Sequence, residues 1–151
     1  VNEDGAHPAR LMTGYVRLRP PDAGAAVAER AFHLPDLPDV RDFAAAEALR
    51  RGMSQESLAD FLVAVNEVAT NAVTHGHATA RAVLRIWTAD RTLVVEIHDE
   101  GRWNPRETPG MVPPASHATS GMGLWVARMV SSGLEFETGA AGTFITMSFK
   151  V

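Results

Sequence analysis

Ser54-Gln-Glu-Ser-Leu-Ala-Asp-Phe-Leu-Val-Ala-Val-Asn-Glu-Val-Ala-Thr-Asn-Ala-Val-Thr-His-Gly76 is the stretch that decides how this chain folds. Apolar residues fall at Leu58, Phe61, Leu62, Val65, Val68, Ala69, Ala72 and Val73, the i, i+3, i+4, i+7 series of an amphipathic helix. Ser54 supplies an N-cap, Gln55 and Glu56 put acceptors and negative charge in the first turn, and Gly76 closes the pattern. A helix over 54–75 is therefore predicted. On its polar side Glu67, Asn71 and His75 recur every fourth residue and form one stripe. With Val65 at the centre of the apolar face, about 100° per residue puts Glu67 nearly opposite the core and the other two back toward it. Such a stripe is most often a solvated face. The chemical alternative makes Glu67 a general base and Asn71 an oxygen ligand for a hard cation such as Mg2+.

Working outward, Ala28–Leu34 reads as a first core strand ended by Pro35, and Asp39–Arg51 as a helix stopped by Gly52. Downstream, Arg81–Thr88 and Thr92–His98 form a hairpin across Ala89-Asp90-Arg91. Residues 102–120 carry four prolines and no periodicity, the composition of a lid or binding loop. A helix over Leu124–Ser132 follows, then a second hairpin of Leu134–Thr138 and Thr143–Phe149 that turns at Gly139-Ala-Ala-Gly142. Residues 1–27 are a tail or edge segment whose one alternating piece is Tyr15-Val-Arg-Leu-Arg19; residues 28–151 form the single domain. Helices and hairpins without βαβ alternation give an α+β layer.

Composition excludes several chemistries. The chain has 151 residues, 46% hydrophobic and 21% charged, which is an ordinary globular make-up for one domain. It has no cysteine, so disulfides, thiolate zinc sites and a cysteine nucleophile are out. Lys150 is its only lysine, beside thirteen arginines, so there is no Walker lysine for a phosphate. A net charge of −4 argues against a nucleic-acid surface. No run of about 18 apolar residues and no basic-then-apolar start occur, so a cytoplasmic protein with no membrane segment is expected. Its six histidines show no metal-ligand spacing.

Two further motifs carry chemistry. Asp99-Glu-Gly101 ends a strand and begins the long loop, as a plain turn would. Alternatively, Asp99 is buried and accepts a hydrogen bond from an exocyclic amine such as that of adenine, rejecting bases that lack it. Ser120-Gly-Met-Gly-Leu124 opens a helix at the end of the loop, and so aims backbone amides and a helix N-terminus at whatever the loop covers.

Taken together, Glu67-x-x-x-Asn71-x-x-x-His75-Gly76, Asp99-x-Gly101 and Gly121-x-Gly123 resemble, in order and spacing, the N, G1 and G2 boxes of the GHKL (histidine kinase-like) ATPase superfamily. Within it, Val65–Gly76 and Ser120–Leu124 look most like the anti-sigma factor serine/threonine-protein kinases of bacterial partner-switching systems, and the resemblance covers about 28–150. It implies a two-layer α/β sandwich (the Bergerat fold), three helices over a mixed, mostly antiparallel sheet. It implies ATP and Mg2+ as cofactors, with Glu67 catalytic, Asn71 holding the Mg2+, and Asp99 reading the adenine amine. Gly101, Gly121 and Gly123 would let backbone approach the nucleotide, Thr143 would assist Asp99, and 102–120 would be the ATP lid. The implied partners are an anti-sigma factor antagonist of the STAS type, a sigma factor and a second copy of the chain in a homodimer.

Two departures from the boxes stand out. Trp103 replaces the second glycine of the usual D-x-G-x-G, and Thr119 stands where some of these kinases have an arginine. They motivate the alternative of a catalytically inactive module of the same fold that acts by sequestering its partner. A third reading, the detached catalytic domain of a sensor histidine kinase, would need a phosphoacceptor-bearing helical hairpin, which the broken 1–27 segment does not suit.

Overall fold

The computed structural model describes residues 9–12, 26–74, 81–100 and 122–151. Among these residues six strands, β1 (Ala9–Met12), β2 (Ala28–Phe32), β3 (Ala82–Ala89), β4 (Thr92–Asp99), β5 (Gly133–Gly139) and β6 (Gly142–Lys150), form one sheet in the order β1-β5-β6-β4-β3-β2. Helices α1 (Leu37–Arg50), α2 (Gln55–Thr74) and α3 (Met122–Val130) lie over it. This is the predicted α+β sandwich of three helices on a sheet.

All five pairings are antiparallel, so the parallel pair of a mixed sheet is not found among the described residues. The reason lies in the connectivity. The β4–α3–β5 crossover returns β5 in the direction of β4, but β6 hairpins back between the two and is antiparallel to both. The expected core strand at Ala28–Leu34 is also different. Its strand is shorter and forms one edge of the sheet, with Glu29, Arg30 and Ala31 exposed and only Phe32 buried. Charged side chains suit a sheet edge. Ala9–Met12 forms the opposite edge, whereas the predicted piece Tyr15–Arg19 lies outside the described residues.

Local chemistry explains the element ends. Ser54 Oγ accepts the Ser57 N–H at 3.1 Å, the N-cap bond expected for α2. At the end of α1, Gly52 takes φ +103°, and Met53 N–H donates to Ala48 C=O at 3.0 Å while Gly52 N–H donates to Leu49 C=O at 3.1 Å, a Schellman closure. The β3–β4 hairpin turns on Asp90 and Arg91, both at positive φ, as a two-residue primed turn demands.

Side-chain alternation assigns the two faces of the sheet. Leu84, Ile86, Leu93, Val95, Ile97, Leu134, Phe136, Ile145 and Met147 point to the helices, where they meet Phe61, Ala64, Val65, Val68 and Leu124 in one buried core. Phe61 and Phe149 meet edge-on at 5.1 Å and tie α2 to β6. On the other face the register lines up Glu29, Arg85 and Glu96, with Arg85 Nε 3.2 Å from Glu29 and its guanidinium 3.9 Å from Glu96. Trp87 is wholly buried on that face, where it serves packing.

Candidate functional site

The site grows from the same alternation. Along β4, β5 and β6 the helix-facing positions run apolar until the end of each strand, then become Asp99, Thr138 and Thr143. Register sets these three side by side: Thr138 opposite Thr143, and Thr143 opposite Asp99. All are buried, at 4%, 0% and 4% exposure for Thr138, Thr143 and Asp99. The Thr138 and Thr143 hydroxyls are 3.0 Å apart and share a hydrogen bond. The hydrophobic core thus ends, at one end of three neighbouring strands, in a buried polar row.

Gly142 lets the row close. It has φ +106°, and a Cβ there would overlap the Asp99 carbonyl oxygen and stand 2.9 Å from the Glu100 Cα, so only glycine allows the β5–β6 turn to seat on the end of β4. His98, facing the opposite side of the sheet, fastens the same turn. Its Nε2 lies 2.8 Å from the Ala141 carbonyl oxygen, and its ring stacks on Phe144 at 4.0 Å.

Glu67 and Asn71 stand one turn apart on α2, both half-buried. Helical-wheel arithmetic puts Glu67 opposite the core, but α3 packs along that flank of α2. The contact is close at Gly123, in the first turn of α3. A Cβ on Gly123 would overlap the Glu67 carboxylate and stand 3.3 Å from the Glu67 Cβ. Glycine at this position is what lets the carboxylate lie in the seam between the two helices. Two candidates from widely separated motifs, Glu67 and Gly123, are therefore in contact. A second pair, Asp99 and Thr143, is adjacent in the sheet.

Other candidates are not positioned. His75, Gly76, Gly101, Trp103, Thr119, Gly121 and the 102–120 loop lie outside the described residues. Arg128, in the last turn of α3, has its guanidinium carbon 5.8 Å from the Trp125 ring centre, a cation–π contact. Thr138 is the residue that motif reading missed. Its signal was the Leu134-x-Phe136-x-Thr138 alternation, which predicts a helix-facing hydroxyl at the strand end.

These residues fit a purine nucleotide with Mg2+. A buried carboxylate beside a hydroxyl suits the amine edge of a base, and the lack of a side chain at Gly123 admits the Glu67 carboxylate to the α2–α3 seam. Among the described residues no group of three or more His, Cys, Asp or Glu could hold a metal by itself. Mg2+ bound chiefly through phosphate oxygens and water, with one amide oxygen such as that of Asn71, needs no such group. No helix among the described residues is long and apolar enough to cross a membrane.

No curated protein matches the chain. The family model of the histidine kinase-like ATPase domain matches residues 31–149, a span that runs from the end of β2 almost to the end of β6 and takes in both the α2–α3 seam and the Asp99 row. With ATP binding and ATP-dependent chemistry as the common property of that superfamily, the chain belongs to the histidine kinase-like ATPase domain family.

Proposed function

We propose that this protein is a cytoplasmic anti-sigma factor and serine/threonine-protein kinase. It phosphorylates a STAS-type anti-sigma factor antagonist, and in its other state it holds a sigma factor, acting as a homodimer. The observation that carries the kinase reading is the α2–α3 seam, where the Glu67 carboxylate lies against Gly123. Support for the finer assignment comes from the Val65–Gly76 and Ser120–Leu124 segments, which resemble those of anti-sigma kinases.

In this reading Glu67 takes the proton of the acceptor hydroxyl as that oxygen bonds to the γ-phosphorus and the bond to the β-phosphate oxygen breaks, so that ADP leaves. Asn71, one turn along the helix, contributes its amide oxygen to the cation. Asp99 accepts from the base amine, and Thr143 steadies that contact. ATP with Mg2+ supplies the transferable phosphoryl group and the positive charge that offsets the phosphates. The sole lysine, Lys150, ends β6, so no ammonium group shares that task.

Calorimetric titration with ATP, with and without Mg2+, is the first test. Magnesium-dependent binding is expected, weakened by Asn71→Ala and abolished by Asp99→Asn. Glu67→Gln should then leave binding within a few-fold and remove phosphotransfer to an antagonist. No binding to the wild type would sink the reading. Trp103 and Thr119 favour one rival, a module that sequesters its partner without catalysis. For that module Glu67→Ala would leave sequestration and its release unchanged.

A further inference from the structure

We infer that His98 is a positioning residue for base binding. It locks the Gly139–Gly142 turn onto the end of β4, and so holds the start of β6 beside Asp99. The inference rests on the reading of Asp99 as the partner of the adenine amine.

Four observations carry it. His98 and Asp99 are consecutive residues of β4, so their side chains leave the sheet on opposite faces, Asp99 toward the helices and His98 away from them. The His98 Nε2 lies 2.8 Å from the Ala141 carbonyl oxygen. A carbonyl oxygen only accepts, so Nε2 carries the proton and donates it. The His98 ring lies flat on Phe144, at 4.0 Å between centres and 7° between planes, which fixes the direction in which Nε2 points. Lastly, Glu137, Phe144 and the turn itself line a cavity of about 220 Å3. Side chains do not fill the space beside the turn, which leaves its position to be set by a directed bond.

Ala141 is two residues before Thr143, which pairs with Asp99 across the β4–β6 register. The His98 bond therefore ties the strand that carries Asp99 to the turn that delivers Thr143. On the turn's other side, Gly142 sits against the Asp99 carbonyl, so the seated turn is held between a backbone contact and a side-chain clamp. A turn lifted from β4 takes the first residues of β6 with it and opens the pocket for the base. One hydrogen bond of ordinary strength shifts the balance of seated over lifted turn about fivefold. Apparent affinity falls with the fraction of molecules in the seated state. Glu67, Asn71 and Gly123 stand on α2 and α3, so the clamp acts on the hold for the base and not on the groups assigned to the phosphates.

The test is calorimetric titration of ATP with Mg2+ into the wild type and into His98→Phe, His98→Ala, His98→Gln and Asp99→Asn, with a thermal melt of each. Phenylalanine keeps a ring on Phe144 without a donor, whereas glutamine gives up the ring and can bring an amide N–H to where Nε2 stands. Phe and Ala should weaken ATP binding about threefold to tenfold, and Gln should restore it to within about twofold of the wild type. His98 is half-buried, so all three variants at this position should melt as folded proteins. The reverse order, with Phe at wild-type affinity and Gln weakened, would make His98 a packing residue and overturn the inference. Wild-type affinity in all three, or Gln as weak as Ala, would overturn it too. Asp99→Asn separates the two readings: if it keeps the wild-type affinity, the adenine reading fails and the inference falls with it.

Discussion

Two glycines decide what the site can be. Gly123 has no side chain because the Glu67 carboxylate occupies that space. Gly123→Ala should leave the melting point level or raise it slightly, since alanine favours a helix by about 1 kcal/mol and a carboxylate end can swing aside. On the proposed reading of Glu67 as the base, ATP-dependent phosphotransfer should nevertheless fall by about tenfold or more, because a displaced base loses its alignment. A melt and an activity assay on the same sample check both. Gly142 differs, since its Cβ would meet backbone that cannot swing away, at a φ of +106°. Gly142→Ala should therefore lose about 2–3 kcal/mol in urea unfolding, and a stability equal to wild type would refute the close approach.

At the scale of an element, α1 is held at its C-terminal end by Glu47. That carboxylate accepts from Arg50 at 2.6 Å and from Arg51 at 3.2 Å, and Arg51 also donates to the Ala26 carbonyl at 2.8 Å. The Arg50 hydrogen bond, first among the causes, holds the Glu47 carboxyl below its ordinary value; partial burial opposes it, and Arg51 adds to the lowering. A depressed carboxyl contributes stability above the unfolded-state value and loses it as pH falls through the folded-state value. Glu47→Gln should thus cost about 0.5 kcal/mol at neutral pH and nothing in acid, below the carboxylate range. Urea midpoints of both proteins across pH test the sign. A gap that widened in acid would contradict it.

Over the whole molecule, one core joins the two layers, and Phe61 against Phe149 is a contact that crosses between them. Phe61→Ala should cost about 3–5 kcal/mol, a large share of the total of about 5–15 kcal/mol usual for a domain. Helix and sheet signals should still be lost together, because among the described residues both layers share one core cluster. Far-UV circular dichroism and tryptophan fluorescence, followed in the same urea titration, would reveal separate transitions if the layers were independent.

The amino-acid sequence by itself determined most of the elements and the family resemblance. Ser54 and Gly52 mark helix ends, the 58–73 periodicity fixes α2, and Asp90-Arg91 and Ala140-Ala141 mark the tight turns, because caps, periods and turns are local physics written in neighbouring residues. It also carried Glu67, Asn71, Asp99 and Gly123 as candidates through their spacing, and Thr143 through the family resemblance. Other properties needed the third dimension. A helical wheel turns Glu67 away from the core, and only the packing of α3 on α2 makes that flank a seam with Gly123. Ala28–Leu34 reads as a core strand in the sequence, yet which strands are edges follows from non-local pairing. The row of Thr138, Thr143 and Asp99 exists because register brings together the ends of three strands, with β6 placed between β4 and β5. Spacing along a chain says which side chains share a face, whereas contact between faces is a property of the packed molecule alone.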